Sequence, residues 1–420
     1  MALPAIRKLN IATVVPAAAK NFTSADRLAA SASLSNWLER GGPQPEKYPR
    51  PKHRCPLLHL SDAFEISGSA GNITFVAKRN VEAGFIPYAL ACRLVLHPMS
   101  PMLDAGRRIA AAKLADQIRA LRTGGSGVLG KADDSARIDL IVLLALEILD
   151  GASSKWAPYI GSLPQLEHAA PPALWPYLEP SRAAATSLLR ETSVGHQLAC
   201  DAIELGTACV QGSNPDMHTC RAFLDAPKIT PMPRFHSCSF PTEPLFGRGV
   251  GGGDGSVDGR AAINYSAGLE VHRGLAAASV TRGVTVASAR HALLRAIGLV
   301  STRLFGGIGM VPLLDLANGA PGSHEDKSIG VCNATIERTQ LAASADKDAE
   351  VEPAVALQVT KRIAKGEELI LSYGPLSSAE FLYKYGWTVS DARAAIAERR
   401  CFRRRYSFRR HCQCSLCRLG

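Results

Sequence analysis

The chain has 420 residues, 46% of them apolar and 20% charged, and a formal net charge of +11. This is the composition of an ordinary globular protein of one large domain or two. Its longest apolar run, Leu140 to Leu146, is far short of the ~18 residues that span a bilayer, so no membrane span is expected. The charge is uneven: residues 391–420 hold nine Arg against Asp391 and Glu398, or +7 of the +11. That tail suits weak contact with nucleic acid or another acidic surface, and a solvated helix face reads it equally well.

In chain order, residues 1–25 contain Arg7, Lys8 and Lys20 but no Asp or Glu, which resembles a short mitochondrial presequence. The eleven cysteines are scattered apart from Cys412, Cys414 and Cys417, and no secretory signal is recognisable. A reduced compartment is therefore expected, cytoplasmic and/or nuclear, with the mitochondrion as the alternative. Ser35 to Arg40 followed by Gly41-Gly42 reads as the end of a short helix. Ile73 to Arg79 and Phe85 to Leu96 read as two extended segments around the turn-like Asn80 to Gly84, making a hairpin or meander. Met102 to Leu121 and Ile138 to Leu149 read as helices, the second capped from Asp133 to Ser135 and apolar nearly all round.

Residues 195–265 are the least readable. Gly247 to Gly259 holds seven glycines in thirteen residues, without the strand before and helix after that a phosphate loop needs, so a flexible insertion is expected. Order returns at Ala289 to Phe305, where Leu293, Leu294, Ile297, Val300 and Leu304 form one helical stripe. Met310 to Leu316, Val355 to Lys361 and Glu368 to Tyr373 read as strands, with a polar loop from Asn318 to Lys327. Glu380 to Trp387 reads as a short closing helix.

The most informative tract is Val359 to Trp387, VTKRIAKGEELILSYGPLSSAEFLYKYGW. It resembles the C-terminal half of a SET domain, and more narrowly the group of the Rubisco large-subunit lysine methyltransferase and the actin-histidine methyltransferase. The resemblance extends in order through Trp37-Leu38 with Gly41-Gly42, Gly71 to Gly84, Arg93-Leu94 with Pro98, Leu143 to Pro164, Leu174-Trp175, and Thr302-Arg303 with Phe305. It covers about two-thirds of the chain by this matching.

The resemblance implies an α+β fold. A SET β core of small antiparallel sheets would be split by a large helical insertion, with a C-terminal strand threaded through a loop as a pseudoknot. The parts would be an extension over residues 1–30, the N-terminal SET half over 31–100, the insertion over 101–265, the C-terminal half over 266–390 and the Arg-rich Cys tail over 391–420. It also implies S-adenosylmethionine as cofactor, a protein substrate, methyl transfer to lysine, and Tyr373 as the catalytic residue. The cofactor contacts fall on Gly71, Asn72 and Ile73, on Thr302 and Arg303, on Asn318 and Gly319, and on Tyr385 and Trp387. A monomer is expected.

The pattern departs from the family at two points, the signature after Met310 to Leu316 and the tail, which in the Rubisco-methyltransferase type would continue into a helical substrate-binding domain. Where the family has Asp-x-x-Asn-His, this chain reads Asp315-Leu316-Ala317-Asn318-Gly319. The side-chain contacts of the histidine are lost while a backbone contact could persist; His324, five residues on, is a compensating candidate or a plain loop residue. The tail RYSFRRHCQCSLC resembles a post-SET segment, as in SET-and-MYND proteins. Cys412, Cys414 and Cys417 would bind one structural zinc, with Cys332 or His411 as the fourth ligand. Three alternatives stay open: a histidine acceptor, a degenerate SET domain that binds protein without methylating it, and a nucleic-acid function of the Arg-rich tail with steep salt dependence.

The chemistry asks for little else. Methyl transfer from a sulfonium to an amine is an in-line displacement, so positioning and charge stabilisation do most of it, and no metal is required. A tyrosine hydroxyl and main-chain carbonyls can orient a methyl group through weak C–H···O contacts.

Overall fold

The computed structural model describes residues 24–39, 60–69, 72–121, 135–178, 270–305, 308–320, 332–342, 351–374, 376 and 378–386. In chain order these form α1 (Ser24–Glu39), α2 (Leu60–Ala63), β1 (Phe64–Ser69), β2 (Asn72–Ala77), β3 (Tyr88–Ala91), α3 (Ala105–Leu121), α4 (Ser135–Asp150), α5 (Ala157–Ser162) and α6 (Leu166–Ala169). After the described stretch ending at 178 come α7 (270–278), α8 (Val286–Arg303), β4 (Asn318–Ala320), β5 (Ala334–Ala342), β6 (Val351–Val359), β7 (Ile370–Ser372) and α9 (Ser378–Tyr385). The class is α+β.

The helical layer forms because its apolar residues have nowhere else to go. All of Leu140 to Leu146 in α4 are buried, and α8 packs along α4 through its stripe of Leu293, Leu294, Ile297 and Val300. Burying one such side chain is worth ~1.5–3 kcal/mol. Gly151, at φ +53, ends α4 in a left-handed turn that a side chain would disfavour. Thr285 caps α8 by accepting from the Ser288 amide at 3.0 Å. Inside α8, buried Arg295 donates to the carbonyls of Ile160, Leu163 and Pro164, which satisfies the open end of α5. Burial pulls the guanidinium pKa down to about 10.

Two sheets position the site. β1 and β2 are an antiparallel pair. The larger sheet has the order β3-β6-β5-β7-β4, antiparallel from β3 to β5, while β7 runs parallel to both β5 and β4. The last strand among the described residues, β7, thus lies between β4 and β5, which precede it and are joined through residues 321–333. That is the strand order a threaded C-terminal segment requires; the path of 321–331 lies outside the described residues.

Three local expectations change, and two strands, β1 and β5, come without a sequence signal. The two segments from Ile73 and Phe85 do not pair with each other: β2 takes β1 as partner and β3 takes β6. β1, with Gly68 in its weak sequence FEISGS, carries too little strand pattern to announce itself. Met310 to Leu316 is not a strand. Only Met310 bridges to Leu96, after which Pro312 and Leu313, at φ +66, turn the chain into a tight helical turn over Leu314–Leu316. The polar loop from Asn318 begins instead as β4. β5 was hidden by the exposure of Glu337 to Gln340.

Candidate active site

The site is built around the end of β7. Asn333 accepts from the Ile370 amide and donates to the Glu368 carbonyl, both at 2.8 Å, which clamps the strand from one side. On the other side Glu368 Oε1 accepts from Thr74 Oγ1 at 2.5 Å and from Asn318 Nδ2 at 2.6 Å. One carboxylate therefore ties β2, β4 and the approach to β7 together, through charge-assisted bonds.

Tyr373 follows directly. Its amide donates to the Ala320 carbonyl at 3.0 Å, and its hydroxyl points to the Ala317 carbonyl at 3.5 Å. Its ring is stacked on Tyr385, centroids 4.9 Å apart at 21°, and on Phe381 at 6.1 Å and 22°. Burial pushes the Tyr373 phenol up; nearby Asp315 adds to this and Arg303 opposes it. Burial likewise raises Tyr385, with Tyr373 adding and Arg303 opposing. Both hydroxyls are held protonated at neutral pH, ready to donate.

The floor comes from the turn after Met310. Tyr88 donates to the Pro312 carbonyl at 2.7 Å, and the buried Tyr159 hydroxyl donates to Asp315 Oδ2. Burial, then Asp315, hold the Tyr159 phenol well above its usual range. Arg303, at the end of α8, donates from Nη1 to the Asp315 carbonyl. Its Nε is buried and meets no acceptor among the described residues. Between these groups lies a cavity of about 190 Å³, lined by Thr302, Arg303, Leu304, Phe305, Asp315, Ala317, Ser372, Tyr373, Lys384 and Tyr385.

Of the residues expected from sequence, Thr302, Arg303, Tyr373 and Tyr385 come together on this cavity, and Asn318 and Gly319 form the adjoining strand β4. The Thr302 hydroxyl is turned back onto the Gly298 carbonyl at 2.8 Å. Asn72 opens β2, and Ile73 is buried within it. Cys332 is half-buried, donates weakly to the Ala320 carbonyl at 3.6 Å, and has its thiol pKa raised by burial. Gly71, His324, Trp387, His411, Cys412, Cys414 and Cys417 lie outside the described residues. Among the described residues no cluster of His, Cys, Asp and Glu is gathered that could hold a metal.

Sequence reasoning met Asp315 only as the first residue of the Asp-x-x-Asn-His pattern, without a role in the site, and did not single out Tyr159, Asn333 or Glu368. Only Asp315 carries a local signal, a carboxylate set in the apolar run MVPLLDL, 3% exposed.

No family model and no curated protein matches the chain. Among solved structures it is similar to the SET domain of LSMT bound to lysine and AdoHcy, at 12% identity and a TM-score of 0.45. It is also similar to Rubisco LSMT bound to AdoMet, at 15% identity and a TM-score of 0.43. Each alignment covers 86% of this chain and 57% of the other, so the chain spans little more than half the length of those structures.

Proposed function

We propose that the chain is an S-adenosylmethionine-dependent protein methyltransferase that transfers methyl to a lysine side chain. The observation that carries the reading is the juxtaposition at one cavity of the half-buried Tyr373, its hydroxyl toward the Ala317 carbonyl, and Arg303. S-adenosylmethionine suits this donor set, since the acceptor-less Arg303 Nε is what a carboxylate would complete. When bound, it supplies an activated methyl group on sulfur.

The chain's own residues do the rest. The Tyr373 hydroxyl and Ala317 carbonyl are oxygens that a polarised methyl can face through weak C–H···O contacts. Arg303 holds the turn over 314–316 by its bond to the Asp315 carbonyl, and so sets where the Ala317 carbonyl stands. The accepting amine must arrive neutral. An amine with an ordinary pKa near ~10.4 loses its proton more readily once desolvated in such a wall of aromatic rings.

Calorimetry with S-adenosylmethionine and mass spectrometry of proteins methylated in cell extract test this together. Wild type is expected to bind the cofactor and add 14-dalton increments (one methylene) on lysines, while Tyr373→Phe still binds but transfers ~10²-fold more slowly. Increments on histidine would move the acceptor, and absence of cofactor binding by the wild type would sink the reading.

A further inference from the structure

The ring of Tyr373 occupies the ground that a side chain at position 319 would need. A Cβ on Gly319 would stand 2.1 Å from Cε1 and 2.3 Å from both Cδ1 and Cζ of Tyr373. Unstrained carbon contacts run at about 3.5–4.0 Å. Even alanine would therefore require a displacement of roughly an ångström or more.

Both sides are held, and the one opening beside the ring is the cavity it lines, away from the place where its hydroxyl meets the Ala317 carbonyl. Tyr385 is stacked on the ring at 4.9 Å, and Phe381, fully buried, at 6.1 Å. β4 is paired along its whole length with β7, Gly319 opposite Leu371, and Asn318 is bonded to Glu368. Backbone conformation does not explain the glycine, because Gly319 lies in a strand and has no positive φ. What remains is the missing side chain itself.

We infer that Gly319 is a positioning residue, whose lack of a side chain seats the Tyr373 ring against β4 so that the hydroxyl reaches the Ala317 carbonyl. The structural half stands on packing alone; the catalytic half rests on the methyltransferase reading. It reverses the meaning of the departure from the Asn-His pattern. A histidine here would restore no contact in this chain. It would evict the tyrosine.

The test is a thermal double-mutant cycle of Gly319→Ala and Tyr373→Ala, run beside near-ultraviolet circular dichroism and methyl-transfer kinetics. Gly319→Ala is expected to lower Tm and alter the aromatic dichroism in the presence of Tyr373, and to do far less in the Tyr373→Ala background. Equal losses in the two backgrounds would overturn the inference. If Gly319→Ala alone fails to fold while the double variant folds, the inference is upheld. If both fail while Tyr373→Ala folds, the clash lies elsewhere and the inference falls.

In transfer assays kcat should drop ~100-fold with little change in KM, the scale of an ångström's misplacement. A wild-type kcat would overturn the positioning role. A wild type that binds no cofactor and transfers no methyl removes the methyltransferase reading, while the thermal cycle still decides whether Gly319 seats the ring.

Discussion

In α4, seven consecutive residues from Leu140 to Leu146 are buried to within 2% exposure, and α8 covers them with another apolar stripe. Along β4 and β7 the strands are three residues each, and the parts are held by single polar groups: Asn333, Glu368, Asn318 and the Asp315 turn. The helical layer is stabilised by many interchangeable contacts. The sheet edge is specified by a few that cannot be exchanged. The first kind of region tolerates a changed shape and loses stability in proportion; the second loses geometry before it loses stability.

The contrast breaks most visibly if a core cavity harms chemistry. Leu144, fully exchanged for contact with its neighbours at 0% exposure, is expected on truncation to Ala to cost ~2–5 kcal/mol in urea unfolding. Methyl transfer per folded molecule should stay at the wild-type rate. A collapse of kcat in the remaining folded protein would mean that the helical layer sets the site after all.

Asn333→Ala removes two side-chain hydrogen bonds to the strand that carries Tyr373. At ~1 kcal/mol each, more where a buried partner is left unsatisfied, the expected loss is about 2–3 kcal/mol. Here stability and chemistry should fall together, and hydrogen exchange at the Ile370 amide should accelerate before exchange in α4 does. Unchanged exchange at Ile370 would show that the backbone pairings with β4 and β5 hold β7 without the Asn333 side chain.

How much of this was legible follows the same division. Composition with cap and stop residues found α3 and α4, and helical spacing found α8, each within a few residues, because these signals are local in the sequence. The strand Glu368 to Tyr373 was readable from alternation, and its resemblance to a family pattern pointed at Tyr373. What could not be read was pairing. Nothing in ITFVAKR says that its partner is FEISGS rather than the next strand, and nothing in ATIERTQLA, exposed over Glu337 to Gln340, declares it β5. Nor does the sequence of Asp315 to Gly319 show that a ring from position 373 fills the space over Gly319. That depends on β7 lying between β4 and β5, which is a property of topology and not of any local run.

The smallest effect sharpens the comparison from the helical side, where a polar island around Glu147 interrupts the apolar layer. Glu147 accepts from Ser154 Oγ at 2.5 Å and lies 3.6 Å from Arg107 Nε, while Arg107 also pairs with Asp150. Burial holds the Glu147 carboxyl above the usual range, outweighing the Ser154 bond and the Arg107 charge. The folded protein therefore binds this proton more tightly than the unfolded chain does. The associated stability is complete below the unfolded carboxylate pKa of ~4.3 and is lost as pH rises through the raised folded value. Glu147→Gln keeps an oxygen for Ser154 and cannot titrate. Whatever constant offset the lost ion pair adds, wild type should lose stability relative to Glu147→Gln as melts are taken from about pH 4 towards neutrality. A difference running the other way would mean that Arg107 outweighs burial, and that this island is held by specific charge pairing, as the sheet edge is.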